Sequence, residues 1–305
     1  MTERVVTARS AVDLDAVLGP FLRGAGDPST RRDASARWWL ARRTPDGPGT
    51  LALQARPAEG AVLAQAWGPG AGWLLDSVPD LLGEGDDDAT FVAHHDLVAR
   101  GRASHPGWRV PRSRLVLEAL VPAIIEQRVT GREAFASFRM LVRQFGEPAP
   151  GPAGEDHLMV GPDPRGWAHI PSWAWLKAGV ERQRSATVVA AAGRAGRIEE
   201  CVDLSLEAAT ARLMALPGVG VWTAAEVAHR ALGDADAVSF GDYHVARNTT
   251  YALTGEVGDD AALAALLEPY AGHRYRAQRY IAFSGITVPR RGPRRSLPTH
   301  LPTRW

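Results

Sequence analysis

Residues 216–247 read LPGVGVWTAAEVAHRALGDADAVSFGDYHVAR, and no other stretch restricts the fold so tightly. Apolar residues recur at helical spacing before Pro217 and again from Val221 to Leu232, so Pro-Gly-Val-Gly must turn one helix into the next. Proline stops the first helix, while Gly218 and Gly220 permit positive φ and the close approach of another backbone. A helix opening at Val221-Trp222-Thr223 leaves its first N–H groups without intrahelical partners. Beside side-chain-free glycines, such groups form a seat for phosphate. A plain helix–helix turn explains a bare G-x-G equally well; P-G-V-G between two helices is a narrower pattern. One helix later a single aspartate, Asp242, precedes Tyr243, 22 residues beyond Gly220 (242 − 220).

Composition limits what such a chain can be. Its 305 residues suffice for about two domains. Cys201 is the only cysteine, which excludes an intramolecular disulfide and any zinc or iron–sulfur site built from several thiolates. No apolar run reaches the ~18 residues of a membrane span. The first twenty residues lack the apolar core of a signal peptide, so a cytoplasmic protein is expected. A net charge of +1 does not by itself indicate nucleic acid. Lys177 is the only lysine, and arginine carries nearly all the positive charge. Arg290, Arg291, Arg294, Arg295 and Arg304 form an acid-free tail, either a solvated end or a segment that tracks a phosphate backbone.

Residues 1–105 read as mixed structure: a short helix over 13–22, a strand at Trp38-Trp39, and two strands within 50–68 around Pro-Ala-Glu-Gly. GEGDDD (83–88) reads as an acidic surface loop. From about 110 the spacing turns helical, with helices expected within 113–146 and over 172–178, 183–193, 204–215, 222–232, 244–253, 260–267 and 274–283. The expected fold is mainly α: a small α+β domain with an antiparallel sheet (1–105), a helical domain (106–288), and a basic flexible tail (289–305). No histidine group, His94-His95-Asp96, His229 and His244 included, has convergent metal-ligand spacing.

LPGVGVWTA followed by Asp242-Tyr243 resembles the helix-hairpin-helix (HhH-GPD) DNA glycosylases, and among them the bacterial 3-methyladenine glycosylase II type. GWRVPRSRLVLEALVPAIIEQRVTG (107–131) matches that family's A-I-x-x-Q-x-V-[ST] helix and its approach. The likeness covers residues ~105–285. It implies that Asp242 is catalytic, stabilising the oxocarbenium character of the sugar once the damaged nucleotide has been flipped out of the duplex. A helix cap is the alternative role for Asp242. The resemblance further implies that Gly218, Val219, Gly220, Thr223, Gln127 and Arg128 contact DNA, with Arg128 the wedge in the gap left by the flipped nucleotide.

Trp222, Tyr243 and Glu226 are the expected base pocket; Trp222 and Glu226, four apart, share a helix face. Family members that also cut the strand carry a lysine where this chain has Trp222, so a monofunctional enzyme without lyase activity is implied. No cofactor is expected to be required and no iron–sulfur cluster is possible. A Na+ or K+ held by the carbonyls of Met214, Leu216 and Val219 is implied by the likeness. Phe240-Gly241, Glu226, Ala282 and Glu126 depart from the family pattern, so substrate range does not carry over.

The expected function is base excision repair of alkylated purines in double-stranded DNA, by a monomer associated with the nucleoid and no membrane. A non-catalytic hairpin DNA-binding protein, or a glycosylase for a different damaged base, are the alternatives.

Overall fold

The computed structural model describes residues 2–7 and 11–289. The tail arginines expected to solvate or to contact phosphates lie outside the described residues. β1 (Thr2–Thr7), β2 (Thr30–Arg32), β3 (Trp38–Thr44), β4 (Gly47–Arg56) and β5 (Ala61–Trp67) form one antiparallel sheet in the order β1-β5-β4-β3-β2. The anticipated turn falls at 57–60, where Gly60 takes φ +60 to join β4 to β5. Alternation along the strands gives the sheet two buried faces. Trp38, Leu40, Leu51, Leu53, Val62 and Ala64 pack into one core, while Trp39, Ala41 and Ala52 pack beneath residues 149–160. The edge strand β1 buries only Val6, which is why its sequence showed no alternation.

Residues 116–232 build a second core around the helix Val116–Glu126, whose Leu120, Ile124 and Ile125 are fully enclosed. Each such side chain contributes about 1.5–3 kcal/mol when buried. The next helix, Gly131–Phe145, opens on a capping box: Thr130 Oγ1 accepts the Glu133 N–H, and Glu133 Oε2 accepts the Thr130 N–H. The turn between these helices is thereby fixed, with Arg128 at its tip.

The last three helices, Val245–Thr254, Asp260–Leu267 and Arg274–Ala282, return to the first core through Ala246, Leu263, Leu267, Ala277 and Ile281. The chain therefore crosses from the second core at Leu232 to the first at Val238. Asp242 follows four residues later. The 83–88 loop is not simply an acidic surface. Asp86 is buried in a bidentate pair with Arg276 and accepts the Val110 N–H, so one of its carboxylates ties the final helix to the amino-terminal region. No helix among the described residues is long and apolar enough to cross a membrane.

Candidate active site

The hairpin forms as its sequence dictates. Its first helix, Leu206–Met214, ends before Pro217, and the Val219 N–H bonds the Leu216 carbonyl at 3.0 Å to close the turn. Gly218 takes φ +87, and a Cβ there would lie 2.3 Å from Thr187 Oγ1, so glycine is required twice over. Gly220 differs. Its φ of −106 suits any residue, and a Cβ would meet nothing within 4 Å. No contact inside the protein demands glycine at 220; an approaching ligand backbone would. The second helix, Val221–Val227, begins at Gly220 with no side-chain cap. It runs on as a π-turn over Ala228–Leu232, a departure from α geometry common at functional sites.

Gln127 locks this hairpin to the turn after Val116–Glu126. Its amide donates to the Gly218 carbonyl at 2.9 Å and to Thr223 Oγ1 at 2.8 Å. The Thr223 side chain is 2% exposed and its hydroxyl is held by Gln127, so only the backbone of this residue is placed to meet DNA. Both Gln127 amide hydrogens are likewise taken, so that residue acts here as a brace. Arg128 lies in a turn rather than on a helix, exposed, with φ +59. A long side chain held at positive φ costs local energy, which marks the position.

Asp242 is clamped from two sides. Oδ1 accepts the N–H groups of His244 at 2.7 Å and Val245 at 3.0 Å, capping the helix Val245–Thr254. Oδ2 accepts the Trp222 indole N–H at 3.2 Å. The cap and a catalytic carboxylate are thus compatible: one oxygen anchors the group, and the other is oriented by a residue of the hairpin helix. Trp222 is half-buried against it.

Tyr243, expected in the base pocket, lies on the surface of the free protein. It is 70% exposed, with the Arg247 guanidinium 5.1 Å from its ring centre and the His244 ring beside it. Only the side chain of Asp242 folds back over the helix start; that of the next residue points outward.

Glu226 is inside but not free, which corrects its expected place as an open pocket acid. Oε2 accepts from Arg230 at 2.6 Å and Oε1 accepts the Ser239 hydroxyl. Burial pushes its pKa up. Arg230 and then His229 outweigh this with the Ser239 bond, holding it at about 2. His229 is held neutral, at about 3, by burial and by Arg230. Its ring stacks flat on Tyr275 at 4.2 Å.

Sequence reasoning passed over Arg230, although Glu226 and Arg230 stand at i,i+4, a readable ion-pair spacing. It also passed over Arg23, whose Nε lies 3.7 Å from Oε1 of Glu126. Of the other departures, Phe240 packs against the first core, Gly241 takes φ +87, and Ala282 is exposed.

Among the described residues no group of three His, Cys, Asp or Glu side chains could hold a metal ion. The hairpin carbonyls are a different donor set. Leu216 O already accepts one amide, which leaves it a lone pair. No backbone amide among the described residues donates to the carbonyls of Met214 or Val219. Carbonyl oxygens are the donor type that hard cations take.

No family model matches the chain. Over 142 residues it is 32% identical to a probable bifunctional transcriptional activator/DNA repair enzyme AlkA of Mycobacterium tuberculosis, a match covering 45% of this chain and 27% of that protein. The chain thus spans about a quarter of the length of the curated relatives it matches. Among solved structures, the 3-methyladenine DNA glycosylase from Archaeoglobus fulgidus superposes with a TM-score of 0.76 at 17% identity, covering 92% of this chain and 97% of that one. MBOgg1, solved with a low-affinity DNA ligand, gives 0.72 at 14% identity over 93% and 96%. The 8-oxoguanine glycosylase/lyase of Clostridium acetobutylicum, solved with double-stranded DNA, gives 0.68 at 12% identity over 90% and 91%. These likenesses are of fold, and they extend over the amino-terminal sheet as well as the helices. They give the chain the fold of the helix-hairpin-helix DNA glycosylases, and the hairpin, the aspartate at its spacing and the partial AlkA match agree with that likeness.

Proposed function

We propose that the chain is a monofunctional DNA glycosylase of base excision repair acting on alkylated purines in duplex DNA. The observation that carries this reading is Asp242, held by Trp222 beside a hairpin whose Gly220 is open to a ligand. The N–H groups about Gly220 take one phosphate, which positions the duplex without reading sequence. Arg128, at the tip of its turn, fills the gap left by the flipped nucleotide.

As the C1′–N bond breaks, its electron pair leaves with the base and positive charge gathers on the sugar. Asp242 faces that charge and orients the water whose oxygen bonds to C1′, its proton passing to solvent. Met214, Leu216 and Val219 would hold a Na+ or K+ through their carbonyls; such an ion supplies fixed positive charge near the phosphate seat.

Glycosylase/lyases share this fold, so fold alone does not decide the chemistry. Trp222 at the position of the Schiff-base lysine supports hydrolysis without strand cleavage. The names of the relatives support alkylated purines. Incubation with alkylated duplex should release free methylated purine and leave an unbroken abasic strand, and borohydride should trap no protein–DNA adduct. The bonds of Asp242 Oδ1 to the helix start favour a second reading, a DNA-binding module without catalysis, for which no base would be released.

A further inference from the structure

Glu126 is the acid of this site that lacks a full set of partners. It ends the helix Val116–Glu126 and precedes Gln127, which bonds Gly218 and Thr223, so it is fixed against the start of the second hairpin helix. Glu226 and Asp242 act on its charge, and Trp222 bonds the second of them. The nearest cation is Arg23, with Nε at 3.7 Å, beyond hydrogen-bond reach. Among the described residues Glu126 makes no hydrogen bond through its side chain, and the Arg23 Nε, though buried, makes none either. The Glu126 side chain is 22% exposed, so a ligand can reach it.

The charges that face it do not balance. Arg23 and Arg230 are the cations, and Glu226 and Asp242 the neighbouring acids. Arg230 is bound to Glu226. Behind Arg23 stand Asp27, which accepts backbone N–H groups, and Arg42, which is paired with Glu118. His229 is neutral. Counting Glu126, three carboxylates therefore meet two guanidiniums. Burial pushes the Glu126 pKa up, against Arg23 and Arg230, and Glu226 and Asp242 add to the rise. A carboxylate left in this condition gains most from a further positive charge.

We propose that Glu126 selects the base: its carboxylate takes as counter-ion a purine made cationic by ring alkylation. This rests on the base-excision reading above and goes beyond it by assigning the discrimination to one side chain, in place of Glu226. A purine alkylated at N3 or N7 carries a unit positive charge while still bound to its sugar. When the C1′–N bond breaks, the electron pair returns to the ring, the base leaves neutral, and the positive charge passes to the sugar and Asp242. Glu126 therefore favours capture of the flipped base more than its departure. A neutral deaminated purine gains nothing from it.

Single-turnover excision from duplexes carrying one 7-methylguanine or one hypoxanthine tests this, with wild type, Glu126→Gln and Glu126→Asp. For Glu126→Gln the enzyme concentration giving half-maximal excision of 7-methylguanine should rise by about tenfold or more, as expected for a close desolvated charge pair. The saturated rate and the hypoxanthine reaction should hold. Glu126→Asp, which keeps the charge, should keep the preference. The wild-type preference for 7-methylguanine should weaken as pH falls, and that of Glu126→Gln should not. An unchanged ratio, or equal loss on both lesions, overturns the role of Glu126 while base excision stands. A wild type that releases neither base overturns both.

Discussion

Replacing either hairpin glycine by alanine adds one methyl group, yet only one of the two substitutions should damage the fold. At Gly218 the backbone has φ +87, which costs an L-residue about 1–2 kcal/mol. The new Cβ would also lie 2.3 Å from Thr187 Oγ1, a hydroxyl already bonded to the Gln183 carbonyl at 3.0 Å, so it cannot simply swing aside. Overpacking of that kind adds about 1–3 kcal/mol. Together the loss is roughly 2–5 kcal/mol, a large part of the 5–15 kcal/mol typical of a folded domain.

At Gly220 the terms nearly cancel. Reduced freedom of the unfolded chain stabilises alanine by about 0.4–1 kcal/mol, and alanine is poorer than glycine as a helix N-cap by a similar amount. The methyl group does stand where a phosphate would approach. Losing one charge-assisted hydrogen bond there is worth about 1.5–3 kcal/mol, or ten- to a hundredfold in Kd. Chemical denaturation and fluorescence anisotropy with undamaged duplex and duplex containing an abasic-site analogue measure the two effects. Gly220→Ala should unfold at the wild-type midpoint and bind both DNAs less well by the same factor. If it unfolds early like Gly218→Ala, or binds with wild-type affinity, the phosphate seat is misplaced.

Three other outcomes follow from the site. Trp222→Phe removes the indole N–H from Asp242 Oδ2 but keeps an aromatic face, so base release should fall about tenfold or more with affinity for abasic DNA retained; a wild-type rate would leave Trp222 only a stacking role. His229 (about 3 folded against 6.5) and Glu226 (about 2 against 4.5) both bind protons more weakly when folded. Stability is therefore complete above pH 6.5 and falls as pH drops through 6.5 for His229, then through 4.5 for Glu226, towards the folded values. Thermal melts of His229→Phe should be flatter than wild type between those two pH values, and an equal slope would contradict this. Arg128→Ala should impair excision from duplex more than from single-stranded substrate; equal loss would make Arg128 a simple phosphate contact.

The hairpin and Asp242 could be read from the sequence because their geometry is local: proline and glycine at fixed places, then an acid one helix away. Most helices after residue 110 were legible for the same reason, Asp260–Leu267 to the residue, whereas Ala71–Leu81 and Asp96–Ser104 were not read. Much of the rest depends on contacts between distant segments. β1 became a strand only by pairing with β5, and the last helices reach the first core across the whole chain. Glu226 stood at helical spacing from Trp222 as expected. Its environment, though, is set by Ser239 and by an arginine anchored to the Pro20 carbonyl. Arg23 reaches Glu126 from over a hundred residues away, and no spacing rule announces such a pair.

The central claim is that Asp242 performs base excision, and Asp242→Asn tests it most directly. Asparagine keeps an oxygen for the His244 and Val245 N–H groups, so the helix start survives, while the negative charge is lost. Single-turnover release of 7-methylguanine should fall by about a hundredfold or more, the scale of losing an electrostatic stabiliser of the transition state. Affinity for duplex containing an abasic-site analogue should stay near that of the wild type. Base release by the variant at the wild-type rate would contradict the account.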